Sequence, residues 1–180
     1  SKEEVLDEMR RLHETTKRDI RRVLKEIEEL HERTLRENKR DHMVLHEYVN
    51  AAGITIKRKK TPDVEKLVRR VEEMLKELEK HNKKTTDDDK RVLDEIRRRA
   101  DELVKEDERV LREIEEVVRA GKVDLKELLD ESRRVVKESK EDLDRLLKES
   151  RDVVDDTRRK SEKNLRDAER VIREAEEAVR

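Results

Sequence analysis

In its last third the chain reads Leu128-Leu129-Asp130-Glu131-Ser132-Arg133-Arg134-Val135-Val136, and eighteen residues later it reads Leu146-Leu147-Lys148-Glu149-Ser150-Arg151-Asp152-Val153-Val154. A shorter pair near the start, Leu12-His13-Glu14 and Leu30-His31-Glu32, has the same spacing. Eighteen residues make about five α-helical turns, so this pattern keeps its phase along a helix, whereas a seven-residue repeat drifts and forces a supercoil. The repeat therefore predicts long, nearly straight helices.

Two breaks divide the chain into three segments of similar length. At the first, Thr61 suits a helix N-cap and Pro62 the first helical position. At the second, Gly121 suits a helix C-terminus, and Asp124 is a candidate cap for the next helix. We expect helices over about 2–58, 62–120 and 123–179, in a single domain of residues 1–180. Because short connections make neighbouring helices antiparallel, the predicted fold is all-α, an up-down-up three-helix bundle of long, nearly straight antiparallel helices.

Each segment carries a stripe of residues spaced three and four apart, and many stripe positions are polar. The stripe of the second segment is predicted to end on Val110, Ile114 and Val117. An unpaired buried hydroxyl or amide costs about 1–3 kcal/mol, so this many together predict cross-helix hydrogen-bond networks that fix register and partner. The alternative is that several of them face solvent, because a three-helix core is narrow. This set, called the polar seam below, comprises Thr16, Thr34, Asn38, Asn82, Thr85, Asp89, Ser132, Ser139, Ser150, Thr157, Ser161 and Asn164.

The composition argues against several classes of function. Charged residues make up 55% of the chain, with 49 basic against 50 acidic, and there is no Cys, Trp or Phe. A balanced charge without stacking aromatics does not suit a nucleic-acid binder. No apolar run is long enough for a membrane span, no signal peptide opens the chain, and no catalytic arrangement stands out. We expect a non-enzymatic protein that is soluble in a cytoplasmic expression host, with no natural location and neither cofactor nor metal.

One segment differs from its surroundings and contains the only Tyr of the chain. It reads Arg40-Asp41-His42-Met43-Val44-Leu45-His46-Glu47-Tyr48-Val49-Asn50-Ala51-Ala52-Gly53-Ile54-Thr55. All sixteen residues resemble the eleventh β-strand of green fluorescent protein in its engineered split-reporter form, and we call them the strand-11 segment below. The other 164 residues resemble no natural family and look like a computationally designed helical bundle. The resemblance implies a partner, the complementary fragment of barrel strands 1–10, and matches Glu47 to the inward-facing glutamate associated with chromophore maturation.

The strand-11 segment also continues the stripe of the first helix. Leu45, then Tyr48 or Val49, then Ala52 and Ile56 follow Leu30, Thr34 and Asn38 in helical phase. Its β-branched residues and Gly53 oppose a helix, with Gly53 costing about 1 kcal/mol relative to alanine. We predict a helix through Gly53, with its last turns the weakest part of the bundle. The alternative is a helix that ends near Ala52.

Sixteen residues span about 24 Å as a helix and about 53 Å as a strand, so the two forms exclude each other. The leading hypothesis is a designed switch or cage that holds strand 11 as a helix and releases it to the barrel fragment. A competing designed helix, a partner subunit or a modification would open it. The alternative is a subunit of a designed hetero-oligomer, or a scaffold, whose buried networks set pairing specificity while the strand serves only as a reporter. A third possibility is a test of whether a helix can host a strand sequence.

Two further features bear on switching. His13, His31 and His81 lie beside the polar seam, where protonation would turn an acceptor nitrogen into a donor; the simpler interpretation is that they stay neutral. Arg158-Arg159-Lys160-Ser161 resembles a substrate of basophilic serine kinases, although a chain so rich in Arg and Lys matches such motifs by chance. Ser161 lies on the seam, where a phosphate would disrupt packing.

Overall fold

The computed structural model describes residues 2–56, 62–121 and 124–179, which form three long α-helices and, within those ranges, no strand. The helices are α1 (Lys2–Ile56), α2 (Pro62–Ala120) and α3 (Leu125–Val179). They pack against one another, so the predicted all-α three-helix bundle is confirmed. The predicted end of α1 at position 58 lies outside the described residues, and α3 begins two residues after the predicted position 123. Thr61, the proposed cap of α2, lies outside the described residues.

Gly121 and Asp124 have the local roles that the sequence predicted. Gly121 has a φ of +75°, and its N–H donates to the carbonyl of Val118 at 3.2 Å, which satisfies an end carbonyl of α2. The Asp124 carboxylate accepts from the backbone N–H groups of Lys126 at 3.0 Å and Glu127 at 3.5 Å. These are two of the donors that a helix N-terminus leaves without a partner, so Asp124 is the N-cap of α3.

The contacts divide the chain into two compact units, and each helix contributes to both. Unit 1 comprises Ser1–Glu29 and Val92–Arg151, and unit 2 comprises Leu30–Arg91 and Asp152–Arg180. In unit 2, residues 31 and 38 of α1 lie opposite residues 89 and 82 of α2, so α1 and α2 run antiparallel. In unit 1, ion pairs join residues 8 and 26 of α1 to residues 133 and 151 of α3, a constant offset that makes α1 and α3 parallel.

The core of unit 1 consists of three apolar clusters. Their buried members are Met9, Ile114 and Val118; Ile20, Ala100 and Leu143; and Ile27, Leu93, Ile96 and Leu146. The prediction of Val117 in the stripe of α2 is wrong, because Val117 is 39% exposed and Val118 is 1% exposed. Beyond Ile114 the stripe advances by four residues, which brings Val118 under the facing helices.

Two adjacent apolar pairs of α3 pack within unit 1. Leu128 and Leu129 both pack against the Met9 cluster. Leu146 is a buried member of the Ile27 cluster, and Leu147 packs against that cluster. Of these four side chains only Leu146 is buried, and the other three remain partly exposed.

The buried residues of unit 2 separate into a polar half and an apolar half. The polar half comprises His31, Thr34, Asn38, Asn82, Thr85, Asp89, Thr157, Ser161 and Asn164, with Val154 as its apolar member. The apolar half comprises Leu45, Val71, Leu75, Ala168, Val171 and Ala175. The strand-11 segment lies along the apolar half, and its second residue, Asp41, reaches the polar half.

Candidate functional site

The strand-11 segment is α-helical along its whole backbone, since α1 continues through Gly53 to Ile56. The alternative prediction, a helix that ends near Ala52, is therefore wrong. Side-chain positions are described for residues 40–48, 50 and 51 of the segment. The predicted inward positions Val49, Ala52 and Ile56 fall outside that set.

Leu45 is the apolar anchor of the segment. Its side chain is 0% exposed and packs in a cluster with Val71 and Leu75 of α2 and Ala168 and Val171 of α3. Leu45 is seven residues, about two turns, beyond the buried Asn38, as the predicted stripe requires. Burying one leucine side chain stabilises a fold by about 1.5–3 kcal/mol, and Leu45 is the one apolar residue fully buried among the described side chains of this segment.

Three polar contacts tie the segment to α2 and α3. The Ser161 hydroxyl donates to Oδ2 of Asp41 at 2.6 Å. Nδ1 of His46 lies 3.2 Å from Oε1 of Glu79, at an exposed position where such a pair contributes little. The Tyr48 hydroxyl donates to Oε1 of Glu169 at 3.3 Å, and its ring packs against the Leu45 cluster.

Tyr48 reports on whether the segment is packed. Burial, followed by the negative charge and hydrogen bond of Glu169, raises the pKa of Tyr48 above its ordinary value of about 10. A group with a raised folded-state pKa stabilises the fold below its unfolded pKa, and that contribution is lost as the pH rises through the folded pKa. Because Tyr48 is the only Tyr, phenolate absorbance should titrate at higher pH in the intact protein than in the free segment peptide. Identical titration curves would contradict the packed position of Tyr48.

Other parts of the segment are poorly accommodated. Met43 is 57% exposed, and the buried Nδ1 of His42 has no hydrogen-bond partner among the described residues. Together with the low helix propensity of its β-branched residues, these features make the segment a weakly held part of α1.

All twelve residues of the polar seam are buried, whereas His81 is exposed. His13 and His31 are fully buried. The hydroxyls of Thr16, Thr34 and Thr85 donate to carbonyls four residues earlier in their own helices, so these three do not link helices.

Near the strand-11 segment, the His31 cluster joins all three helices. Nδ1 of His31 lies 2.6 Å from Oδ1 of Asp89, and the Thr157 hydroxyl donates to Oδ2 of Asp89 at 2.7 Å. Both oxygens of the buried carboxylate are therefore satisfied by groups from α1 and α3.

Unit 1 contains a related arrangement, the His13 cluster. Nδ1 of His13 lies 2.8 Å from Oδ1 of Asp107, and Nε2 lies 2.8 Å from the Ser132 hydroxyl. Asp107 was not among the predicted seam residues. The sequence feature that could have identified Asp107 is the eighteen-residue repeat. Asp107 lies eighteen residues after Asp89, and the same interval separates His13 from His31.

The His31 and His13 clusters differ in the hydrogen bonding of one carboxylate oxygen. Oδ2 of Asp107 has no hydrogen-bond partner among the described residues, and Ser139 occupies the position eighteen residues before Thr157. We expect Ser139→Thr to raise the free energy of unfolding by about 0.5–1.5 kcal/mol, because the stiffer threonine side chain favours the hydroxyl position that Thr157 uses. Chemical denaturation measures this, with Thr157→Ser as the matched control, which should lower stability. Equal stability of Ser139→Thr and the parent would contradict the interpretation.

A pair of asparagines lies between the His31 cluster and the apolar half. Nδ2 of Asn82 donates to the carbonyl of Asn38 at 3.3 Å, and Nδ2 of Asn38 contacts both the carbonyl of Asn82 and the Thr86 hydroxyl. Oδ1 of Asn38 and Nδ2 of Asn164 have no partner among the described residues. The polar half is therefore only partly satisfied, which lowers the local cost of separating α1 from its neighbours.

Within the described ranges, no group of three or more His, Cys, Asp and Glu residues could hold a metal ion, and no helix contains a stretch long and apolar enough to cross a membrane. Comparisons of the chain with models of known protein families, with curated proteins and with solved structures gave no significant match.

Proposed function

We propose that this protein is a designed cage for strand 11 of split green fluorescent protein. It holds residues 40–55 in helical form and releases them to complement the fragment of barrel strands 1–10. The observation that carries the proposal is the place of Leu45, which is a fully buried member of the apolar half of unit 2 and does not lie on a solvated terminal tag.

The physical basis is competition between two partners for the same residues. In a strand, Leu45 and Glu47 point to one side and Tyr48 to the other, whereas in α1 Leu45 and Tyr48 share the inward face and Glu47 is exposed. Docking to the barrel fragment therefore requires the segment to leave α2 and α3. The apparent Kd then equals the intrinsic Kd divided by the fraction of molecules that are open.

The weak points of the site fit a release mechanism. The described side chains of the segment include one fully buried leucine and make three polar contacts, next to a polar half in which Oδ1 of Asn38 and Nδ2 of Asn164 have no partner among the described residues. Elements that move in a switch come from the less stable parts of a structure. A competing helix that offers the same buried face as α1, or a modification that disturbs a polar contact, would open the cage.

Complementation kinetics test the proposal. The intact protein and the free sixteen-residue peptide are mixed separately with the ten-strand fragment at equal concentration, and fluorescence is followed. Because docking has to wait for release of the segment, complementation by the intact protein should be on the order of tenfold to a thousandfold slower than complementation by the free peptide. Adding the intact protein to the peptide reaction should leave the peptide rate unchanged, which shows that the barrel fragment is not itself inhibited. Equal rates for protein and peptide would refute masking.

The second candidate is a subunit or scaffold in which the His13 and His31 clusters set pairing specificity. The observation that favours it is the burial of two His–carboxylate pairs whose geometry demands specific partners. Equilibrium sedimentation at micromolar concentration distinguishes the two functions, since a monomer supports the self-contained cage and a defined oligomer supports the subunit.

A further inference from the structure

Ser161 connects a kinase-type sequence to the strand-11 segment. Its hydroxyl is the donor to Asp41, the second residue of the segment, at 2.6 Å, and the side chain is 4% exposed. Arg158 and Arg159 stand three and two residues before it. We propose that Ser161 is a phosphorylation site for a basophilic serine kinase, and that its phosphate expels the strand-11 segment from the bundle. The consequence for complementation rests on the proposed function, whereas the expulsion itself does not.

The motif is selective within the polar seam. The residues three and two positions before Ser132, Ser150 and Thr157 include no arginine. The same holds for Ser139, which follows Val136 and Lys137. Paired arginines therefore precede the one α3 hydroxyl that bonds to the strand-11 segment, and this coincidence of motif and contact distinguishes Ser161 from chance matches in an Arg-rich chain.

The surroundings of Ser161 are already negative. The residues that line a small cavity beside it include three acidic residues, Glu37, Asp41 and Glu162, and one basic residue, Arg158. Nε of Arg158 lies 3.3 Å from Oε2 of Glu37, so this cation already has an anionic neighbour. A phosphate adds about −1.5 to −2 charges within hydrogen-bond distance of Asp41, and like charges at that separation repel.

The small volume of the cavity beside Ser161 also favours expulsion of the strand-11 segment by a phosphate. The cavity measures about 40 Å³. A phosphate and its hydration shell therefore have little room beside Asp41 while α1 remains docked. Because Asp41 is on the segment itself, the repulsion acts on the element that has to leave.

The chemistry is ordinary phosphoryl transfer. ATP supplies the γ-phosphoryl group, a bond forms between Oγ of Ser161 and the phosphorus, the bond to the β-phosphate oxygen breaks, and ADP leaves. The hydroxyl proton passes to the catalytic carboxylate of the kinase. Since Ser161 is buried in the closed form, the kinase acts on open molecules, and the phosphate then prevents reclosure.

The test uses the full-length protein, a purified basophilic serine kinase and ATP. Phosphorylation at Ser161 is located by mass spectrometry, and amide hydrogen exchange over residues 41–48 is compared before and after. We expect exchange and complementation to accelerate by roughly a hundredfold or more, because a buried charge without a partner is expelled. Ser161→Ala, treated in the same way, should show neither change. Leu75→Ala, which weakens the apolar half, gives the kinase access if the parent reacts too slowly.

Three outcomes are decisive. Absence of phosphate on Ser161 in both the parent and Leu75→Ala would overturn the site. Phosphate on Ser161 with unchanged exchange at residues 41–48 would overturn the expulsion. Accelerated exchange without any complementation would support this inference and refute the proposed function, so the two failures are distinguishable.

Discussion

Replacing Leu75 with alanine should accelerate complementation of the ten-strand fragment by about 30-fold or more, up to the rate of the free peptide. Leu75 is 0% exposed and packs against Leu45, but it belongs to α2 and leaves the strand-11 sequence unchanged. Truncation of a buried leucine costs about 2–5 kcal/mol through lost contacts and the cavity that remains. If the lost free energy destabilises the docked form of the segment, the fraction of open molecules rises by about 30-fold for 2 kcal/mol, and by more for a larger loss.

Leu93→Ala is the matched control for Leu75→Ala. Leu93 is also a buried leucine of α2, but it packs with Ile27 and Leu146 in unit 1, away from the strand-11 segment. We expect a similar loss of stability on chemical denaturation and a much smaller gain in complementation rate. Equal acceleration by the two variants would mean that the segment is released only by global unfolding, and no acceleration by Leu75→Ala would mean that the apolar half does not hold the segment.

Replacing Asp89 with alanine should lower the free energy of unfolding by about 2–5 kcal/mol. The substitution removes the acceptor that Nδ1 of His31 and the Thr157 hydroxyl share, and each buried donor that loses its acceptor costs about 1–3 kcal/mol. Denaturation followed by circular dichroism measures the loss. Asp88→Ala is the neighbouring control: its ion pair with Arg91 is exposed, so the change should stay within about 1 kcal/mol.

Asp107→Ala tests whether a loss of stability outside unit 2 also releases the strand-11 segment. It breaks the His13 cluster in unit 1, where only Nδ1 of His13 loses its acceptor, so we expect a smaller loss of stability than for Asp89→Ala, about 1–3 kcal/mol. Asp89 lies in unit 2 with the strand-11 segment, so Asp89→Ala should also accelerate complementation more than Asp107→Ala does. If neither variant is destabilised, the two buried carboxylates are not paired as described.

The helices and the burial of Leu45 were predictable because they depend on periodicity. A stripe that passes through Leu30, Thr34 and Asn38 reaches Leu45 by counting alone, and the same stripe placed the polar seam. The choice between Val117 and Val118 could not be made in this way. Both residues fit a stripe that advances by three or four, and only packing against the facing helices decides between them.

The partners of the polar residues were harder to predict. Asp107 is one of 50 acidic residues, most of them on solvated faces, and its role depends on a histidine 94 positions away in the sequence. The eighteen-residue interval from Asp89 identifies it once the histidines are known to pair with carboxylates. The contact of Ser161 with Asp41 depends on the rotation of α3 relative to α1, which no local pattern specifies.

Amide hydrogen exchange at Leu45 in the intact protein tests the central claim most directly, because the claim is that this residue is held in a packed helix. We predict exchange roughly a hundredfold or more slower than at the same residue in the free sixteen-residue peptide, with a protection factor that reports the open fraction available to the barrel fragment. Exchange of the Leu45 amide at the rate of the free peptide would show that the segment is not held, and would contradict the account.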